Sequence, residues 1–423
     1  MNDKRIQIGS CSRREFVVST GLFFAGAVVS CSHDDDVPSQ DGVDETPTKT
    51  SELAIPNTPP VIRVRVGKIR EKSTTKIGDT QVTRSNNKWY TYGNTPTNKR
   101  NGGSITFESL KKCRILQGDN AKTISGTLEL CPRDDISTNA YDIVATIPIE
   151  RYLPGVLAGE LYAHWHPATF AAQAIAARSY AVAQHLQRRQ TSHFDVSDDA
   201  SSQMFLGDVS LDVAHRAVKE TDGIIMTWAG TVVPAYYSAC CGGVAATAID
   251  EISSSKQHDI PPLLGHGGVD ACTSLDIHRW SIRRDSRTLR KRLNACAASM
   301  PLSDFADIYS IRSIKPSATN KHGRPNKLAI VDRRRGVVEV RARDFLRAAN
   351  SQIASLPQPV QIIWSSFLVG KREEDQLQFD GVGMGHGVGL CQYGAQELAG
   401  RGKSFEDILS WYYPGADLHT LST

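Results

Sequence analysis

Glu160 is the carboxylate in this chain best placed for acid–base chemistry. It lies in the stretch Gly159–Pro167, GELYAHWHP, beside Tyr162, Trp165 and two histidines and just ahead of a strong helix pattern. Aromatic rings that keep water away from a carboxyl group favour its protonated form, which can then deliver a proton to a leaving group. The competing reading is a surface glutamate on the approach to a helix. What surrounds the segment decides between them.

Other reactive types cluster late in the chain. Gly381, Gly383, Gly385, Gly387 and Gly389 alternate with other residues, and His386 sits among them. No start point gives the dinucleotide spacing G-x-G-x-x-G, and no phosphate-loop lysine follows. Glycines so spaced hold positive φ or let backbone approach a ligand closely. There is no G-x-S-x-G and no H-E-x-x-H. His185 and His193 have no acidic residue between them and make a weak metal pair. A Cys–His hydrolase built on Cys391 or Cys241 lacks a papain-type signature.

The elements that must position these residues follow from periodicity. Val61–Ile69 alternates apolar and charged residues, as a half-buried strand does. Short apolar stretches continue to residue 149 between Gly, Asn and Asp turns, so residues 61–149 read as a β-rich lobe. Pro167 to Arg189 then reads as a long helix. Pro167 suits its first position, and Phe170, Ala174, Ala177 and Ala181 fall on one face. Gly223–Gly243 reads as a β-hairpin turning at Ala229–Gly230 and ending in the pair Cys240–Cys241. Residues 334–349 read as a strand and a short helix capped by Asp344. A last helix starts at Ser404, with a capping box to Asp407. Strands first and segregated helices after give an α+β class.

The N-terminus sets the compartment. Arg13 and Arg14 in SRREF precede an apolar run to Val29, too short for a bilayer, which takes ~20 residues. The run fits a secretory signal, the paired arginines a twin-arginine export signal, and Val28–Cys31 (VVSC) a lipobox whose Cys31 is lipidated. Residues 1–31 are therefore expected to be a lipoprotein signal. Residues 32–60, acidic and rich in Pro, Ser and Thr, are expected to be a disordered tether. The chain then sits in the cell envelope, on the periplasmic side, held to a membrane by its N-terminal lipid. Net charge is +4 with the acidic tether outside the body, so the body is more basic than the total. That suits anionic wall polymer or lipid headgroups, and nucleic acid is not an expected partner there.

Nine cysteines are present; without Cys11 and Cys31 seven remain, an odd number. An oxidising compartment permits disulfides. The expectation is a bridge from Cys272 to Cys240 or Cys241, clamping the loop of residues 243–271. The alternative is a structural zinc site using Cys241, Cys272 and either His266 or His278. No cofactor is otherwise expected.

Five stretches together carry a resemblance. Residues 147–183 (IPIERYLPGVLAGELYAHWHPATFAAQAIAARSYAVA) resemble the central motif of the SpoIID/LytB family, the stage II sporulation protein D and amidase-enhancer proteins. Asp195–Gly207, Ala235–Gly243, Asp270–Trp280 and Gly381–Leu418 (GVGMGHGVGLCQYGAQELAGRGKSFEDILSWYYPGADL) resemble its further elements, in order. Tyr237 stands where the family has His, and Phe205 where it has Tyr. The resemblance runs from about residue 60 to 420. It implies a body over residues 150–420 with a central helical catalytic unit, β-rich lobes flanking it and a groove between them. It implies that peptidoglycan glycan strands are cleaved by a lytic transglycosylase mechanism, with Glu160 as acid and then base and a 1,6-anhydro product. Arg178, Gln203, Tyr237, Ser238, His386, Gln392 and Tyr393 are the implied substrate-binding residues. The alternative it implies is a non-catalytic wall-binding protein that enhances a partner amidase.

Overall fold

The computed structural model describes residues 53–94, 98–99, 103–117, 120–299 and 302–422. The paired arginines, Cys31 and the tether through residue 52 lie outside the described residues. The tether expected to residue 60 ends sooner, since Val232 N donates to Leu53 O at 2.9 Å and Ala54 bridges Thr231. The described residues form mixed α+β structure in two compact units.

The first unit draws on Pro47–Tyr236 and Ala416–Thr423. Its main sheet runs, in spatial order, Lys88–Tyr92, Thr80–Ser85, Thr74–Ile77, Ile105–Gln117, Asn120–Pro132, Tyr141–Pro148, Val61–Ile69 and Val196–Ser197. The separate short strands expected around residues 104–132 are two long ones. Their ladder shifts register between Phe107 and Cys113, next to Lys112 at φ 46°, so they bend without ending. Tyr141–Pro148 passes directly into the helix Ile149–Glu160. Pro154 inside that helix hides it from a sequence reading, because proline removes an interior hydrogen bond.

Pro167–Arg188 is the long helix foreseen. His166 caps it by accepting from Ala168 N at 3.2 Å, and Pro167 takes the first position. Phe170, Ala174, Ala177 and Ala181 are fully buried. Burial also covers the other faces from Thr169 to Ser179, because the helices Ile149–Glu160 and Asp212–Glu220 and the strand Ile224–Trp228 all pack on it. The Ala229–Gly230 turn forms with φ 48° and 76°, the paired positive values a two-residue hairpin needs.

The second unit spans Tyr237–Gly415. Its antiparallel sheet orders Arg279–Asp285, Gln376–Val382, Leu368–Glu373, Ile311–Thr319, Pro325–Asp332 and Gly336–Arg341. The helices Ser286–Ser299 and Ala342–Asn350 add Leu289, Leu293, Phe345 and Leu346 to a core with Trp280, Ile314, Leu328 and Phe379. Arg341 occupies the cap position of Ala342–Asn350. The expected cap Asp344 instead lies in the first turn, where it pairs with Arg341 Nε at 2.5 Å. Ser404 does cap Phe405–Tyr412, accepting from Asp407 N at 3.2 Å. A two-stranded parallel pair joins Tyr237–Ser238 to Leu390–Cys391.

Candidate functional site

Glu160 is the last residue of its helix and is 2% exposed. The helix approaches the segment around Met204 so closely that a Cβ on Gly159 would lie 2.6 Å from Met204 O. That approach lets Met204 N donate to Glu160 Oε1 at 2.8 Å. Phe205, next to Met204, packs its ring at 4.9 Å from that of Tyr152 on the same helix as Glu160. Tyr152 Oη donates to Gln203 Oε1 at 3.1 Å, and Gln203 Nε2 donates to Ala177 O at 3.2 Å. Tyr162 and Trp165, which follow Glu160 in the chain, pack with tilted rings 5.3 Å apart. Burial pushes the Tyr152, Tyr180 and Tyr236 hydroxyls up, and Glu160's charge adds to the first two, so these phenols stay protonated. A buried carboxyl group is thus set among aromatic rings and neutral hydroxyls.

Arg178 and Gln203 belong to the same unit and hold this region together. Arg178 is fully buried; its Nε and Nη2 fork Glu150 at 2.7 Å each, and its Nη1 donates to Ile224 O at 3.0 Å. Its fork faces Glu150 and backbone, not an exposed surface. It ties the helix that ends in Glu160 to the long helix and to Ile224–Trp228.

Tyr237, Ser238, His386, Gln392 and Tyr393 come together in the second unit. Four of the five alternating glycines have positive φ: Gly383 at 83°, Gly385 at 95°, Gly387 at 73° and Gly389 at 65°. The loop they form presses on Ser238, whose Oγ accepts from Gly387 N at 3.1 Å. His386 Nδ1 accepts from Val388 N at 3.0 Å, and the ring also bonds the Tyr237 backbone. Desolvation, and then the Arg324 charge, push the imidazole down to about 4, so it is neutral at physiological pH. Tyr393 N donates to Ala239 O at 3.0 Å, and buried Gln392 opens the helix Gln392–Gly400. Arg324, which sequence reasoning missed, is fully buried at the loop's centre and donates from Nη1 to Cys241 O and to Val244 O. Nothing local in HGRPNK distinguishes it from a surface arginine.

The bridge expected at Cys272 is not formed. Cys241 and Cys272 Sγ lie 3.7 Å apart, and all seven described cysteines are free. Cys391 joins them, because pairing of Leu390–Cys391 with Tyr237–Ser238 carries it to the same place. His266 and His278, the expected nitrogen ligands, are not in that cluster; the His278 ring is turned to Leu275 O. Asp270, not foreseen as a ligand, is in it.

Residues 137–228 match the family described as Stage II sporulation protein, SpoIID, and residues 237–389 match a domain of unknown function. The gap between the matches contains the division of the two units. An uncharacterized protein of Brachyspira hyodysenteriae is 27% identical over 299 residues, covering 69% of this chain and 71% of that protein. The amidase enhancer of Bacillus subtilis is 26% identical over 299 residues, 63% of this chain but only 40% of that protein. Stage II sporulation protein D of Bacillus subtilis is 23% identical over 341 residues, 76% of this chain and 88% of that protein. No helix among the described residues is long and apolar enough to cross a membrane. The matches support a cell-wall-related role and an exported or envelope location. The SpoIID domain and these relatives support a likeness to the SpoIID/LytB family.

Proposed function

We propose that the protein cleaves peptidoglycan glycan strands as a lytic transglycosylase, with Glu160 as the single acid and base. The observation that carries this reading is a carboxyl group 2% exposed, fixed by Met204 N–H at the end of a helix. An acid that must give up a proton and regain it needs a poorly solvated, fixed position. Protonated Glu160 donates to the glycosidic oxygen as the C1–O bond breaks, releasing the next sugar's hydroxyl. The carboxylate then takes the proton of the muramic 6-hydroxyl as that oxygen bonds to C1. The product is a 1,6-anhydro end, no water is consumed, and Glu160 is again protonated. No second carboxylate is required, unlike in most glycoside hydrolysis.

A second reading is a wall-binding protein that stimulates an amidase. The amidase-enhancer relative favours it, as does the small fraction of Glu160 open to an incoming strand. In either reading the wall is the partner, and export by the twin-arginine signal with lipidation at Cys31 anchors the body to the membrane. Purified protein incubated with purified glycan strands separates the two. Anhydro-ended fragments from the protein alone support cleavage. Their absence, with faster peptide release once an N-acetylmuramoyl-L-alanine amidase is added, supports enhancement. Cys31→Ala should move the protein out of the membrane fraction, and unchanged fractionation contradicts the anchor.

A further inference from the structure

The second unit gathers four potential metal ligands that glycan cleavage does not use. Cys241 Sγ, Cys272 Sγ, Cys391 Sγ and a carboxylate oxygen of Asp270 all lie within 4.8 Å of one another, and all four residues are buried. They converge from three separate stretches: the segment after Tyr237–Ser238, the turn Ala271–Ser274 with its cap Asp270, and the cap of the helix Gln392–Gly400. The Cys241 and Cys272 sulfurs are 3.7 Å apart. A zinc–sulfur arm of about 2.3 Å gives a tetrahedron with edges of about 3.8 Å. A disulfide needs about 2.05 Å.

The polar atoms around the cluster point the same way. Asp270 Oδ1 accepts from Cys272 N at 2.8 Å, whereas its buried Oδ2 receives no hydrogen bond. A buried carboxylate oxygen left without a donor is costly. Its nearest basic neighbour is the His266 ring, with Nε2 at 3.3 Å, packed 4.6 Å from Trp411. Cys391 Sγ accepts from Cys241 N at 3.3 Å and Gly394 N at 3.4 Å, the kind of backbone donation that supports a thiolate. Three sulfurs select against calcium and magnesium, and a closed, buried set of four suits a structural site.

We propose that Cys241, Cys272, Cys391 and Asp270 bind one structural zinc ion, with His266 backing Asp270. The ion joins three stretches of the second unit and so fixes both ends of the glycine loop that carries His386. The site is independent of the cleavage reading, since none of its ligands acts in that reaction. Cys240, also buried, stands beside the set in sequence and is not among the four converging ligands.

The test is metal analysis of the full chain purified without chelator. One zinc per chain is expected, together with three thiols that react with a mercurial only as zinc is released. Zinc added back to chelator-stripped protein should raise its melting temperature. Cys272→Ser and Cys391→Ser should lose the ion. His266→Gln should keep it with about 10–100-fold weaker affinity in chelator competition. Cys240→Ser should retain one zinc. The stripped wild-type protein carries the test even where a cysteine variant fails to fold. Metal-free protein with a Cys241–Cys272 disulfide in non-reduced peptide maps overturns the proposal. Zinc retained by Cys272→Ser, or lost with Cys240→Ser, overturns the ligand set.

Discussion

In the first unit the buried carboxylate of Asp142 gathers Arg70 at 3.0 Å, Arg133 at 3.1 Å and the His193 ring at 2.9 Å. In the second unit the buried His258 and the partly exposed His386 sit near guanidiniums, Arg343 and Arg324. An anion among cations is held charged, and an imidazole near cations is held neutral. Burial alone would raise the Asp142 carboxyl, but the His193 hydrogen bond and the Arg65 and Arg70 charges outweigh it and bring it down to about 2. Burial first, and the neighbouring arginine second, bring both histidines down to about 4. The two units of one chain therefore meet acid differently.

The largest effect should come from breaking the first arrangement. Asp142→Ala leaves Arg65, Arg70 and Arg133 without their shared counter-charge. Loss of one partner from a buried pair costs about 3–5 kcal/mol. Hydrogen exchange should show protection lost in residues 61–148 and retained in 279–382; uniform loss would contradict a division of labour between the units.

The next effect is the acid response of the second unit. His258 is 1% exposed and titrates in the unfolded chain near 6.5 but in the folded chain near 4. The unfolded state binds the extra proton first, so this stability is complete above pH 6.5 and is lost as pH falls toward 4. Its size is about 3 kcal/mol for His258, and less for the partly exposed His386. Asp142 acts lower, its contribution intact above 3.8 and lost as pH falls toward 2. Between pH 6.5 and 4 the second unit should thus loosen first. His258→Asn should flatten that slope, and an unchanged slope would contradict the assignment.

A smaller effect tests the glycine loop. Gly387 has φ 73°, and a Cβ there would meet Arg324 Nη1 at 2.7 Å. Gly387→Ala should cost about 1–2 kcal/mol from the backbone alone and displace the Arg324 fork further. Equal melting temperatures for variant and parent would show that the loop adapts without cost.

Local chemistry was legible in the sequence, and long-range pairing was not. Pro167, the Ala229–Gly230 turn and the Ser404 cap each act within a few residues, and each forms as read. Asp344 misled because a carboxylate in a first turn and one at the cap position give nearly the same sequence pattern. Glu160 was legible as a candidate from its aromatic neighbours, but Met204 as its hydrogen-bond donor was not. That contact depends on the close approach at Gly159. The parallel pairing of Tyr237–Ser238 with Leu390–Cys391 has no local signature, so the meeting of Cys391 with Cys241 and Cys272 was hidden, and with it the place of Arg324.

The most direct test of the account is glycan cleavage by the parent protein and Glu160→Gln, side by side, with product ends identified by mass spectrometry. The substitution keeps the side chain's size and removes its proton. The parent should release 1,6-anhydro ends. The variant should melt at the parent temperature and cleave about 10²–10⁴-fold more slowly, the usual contribution of one positioned general acid. A variant that cleaves at the parent rate would contradict the role given to Glu160.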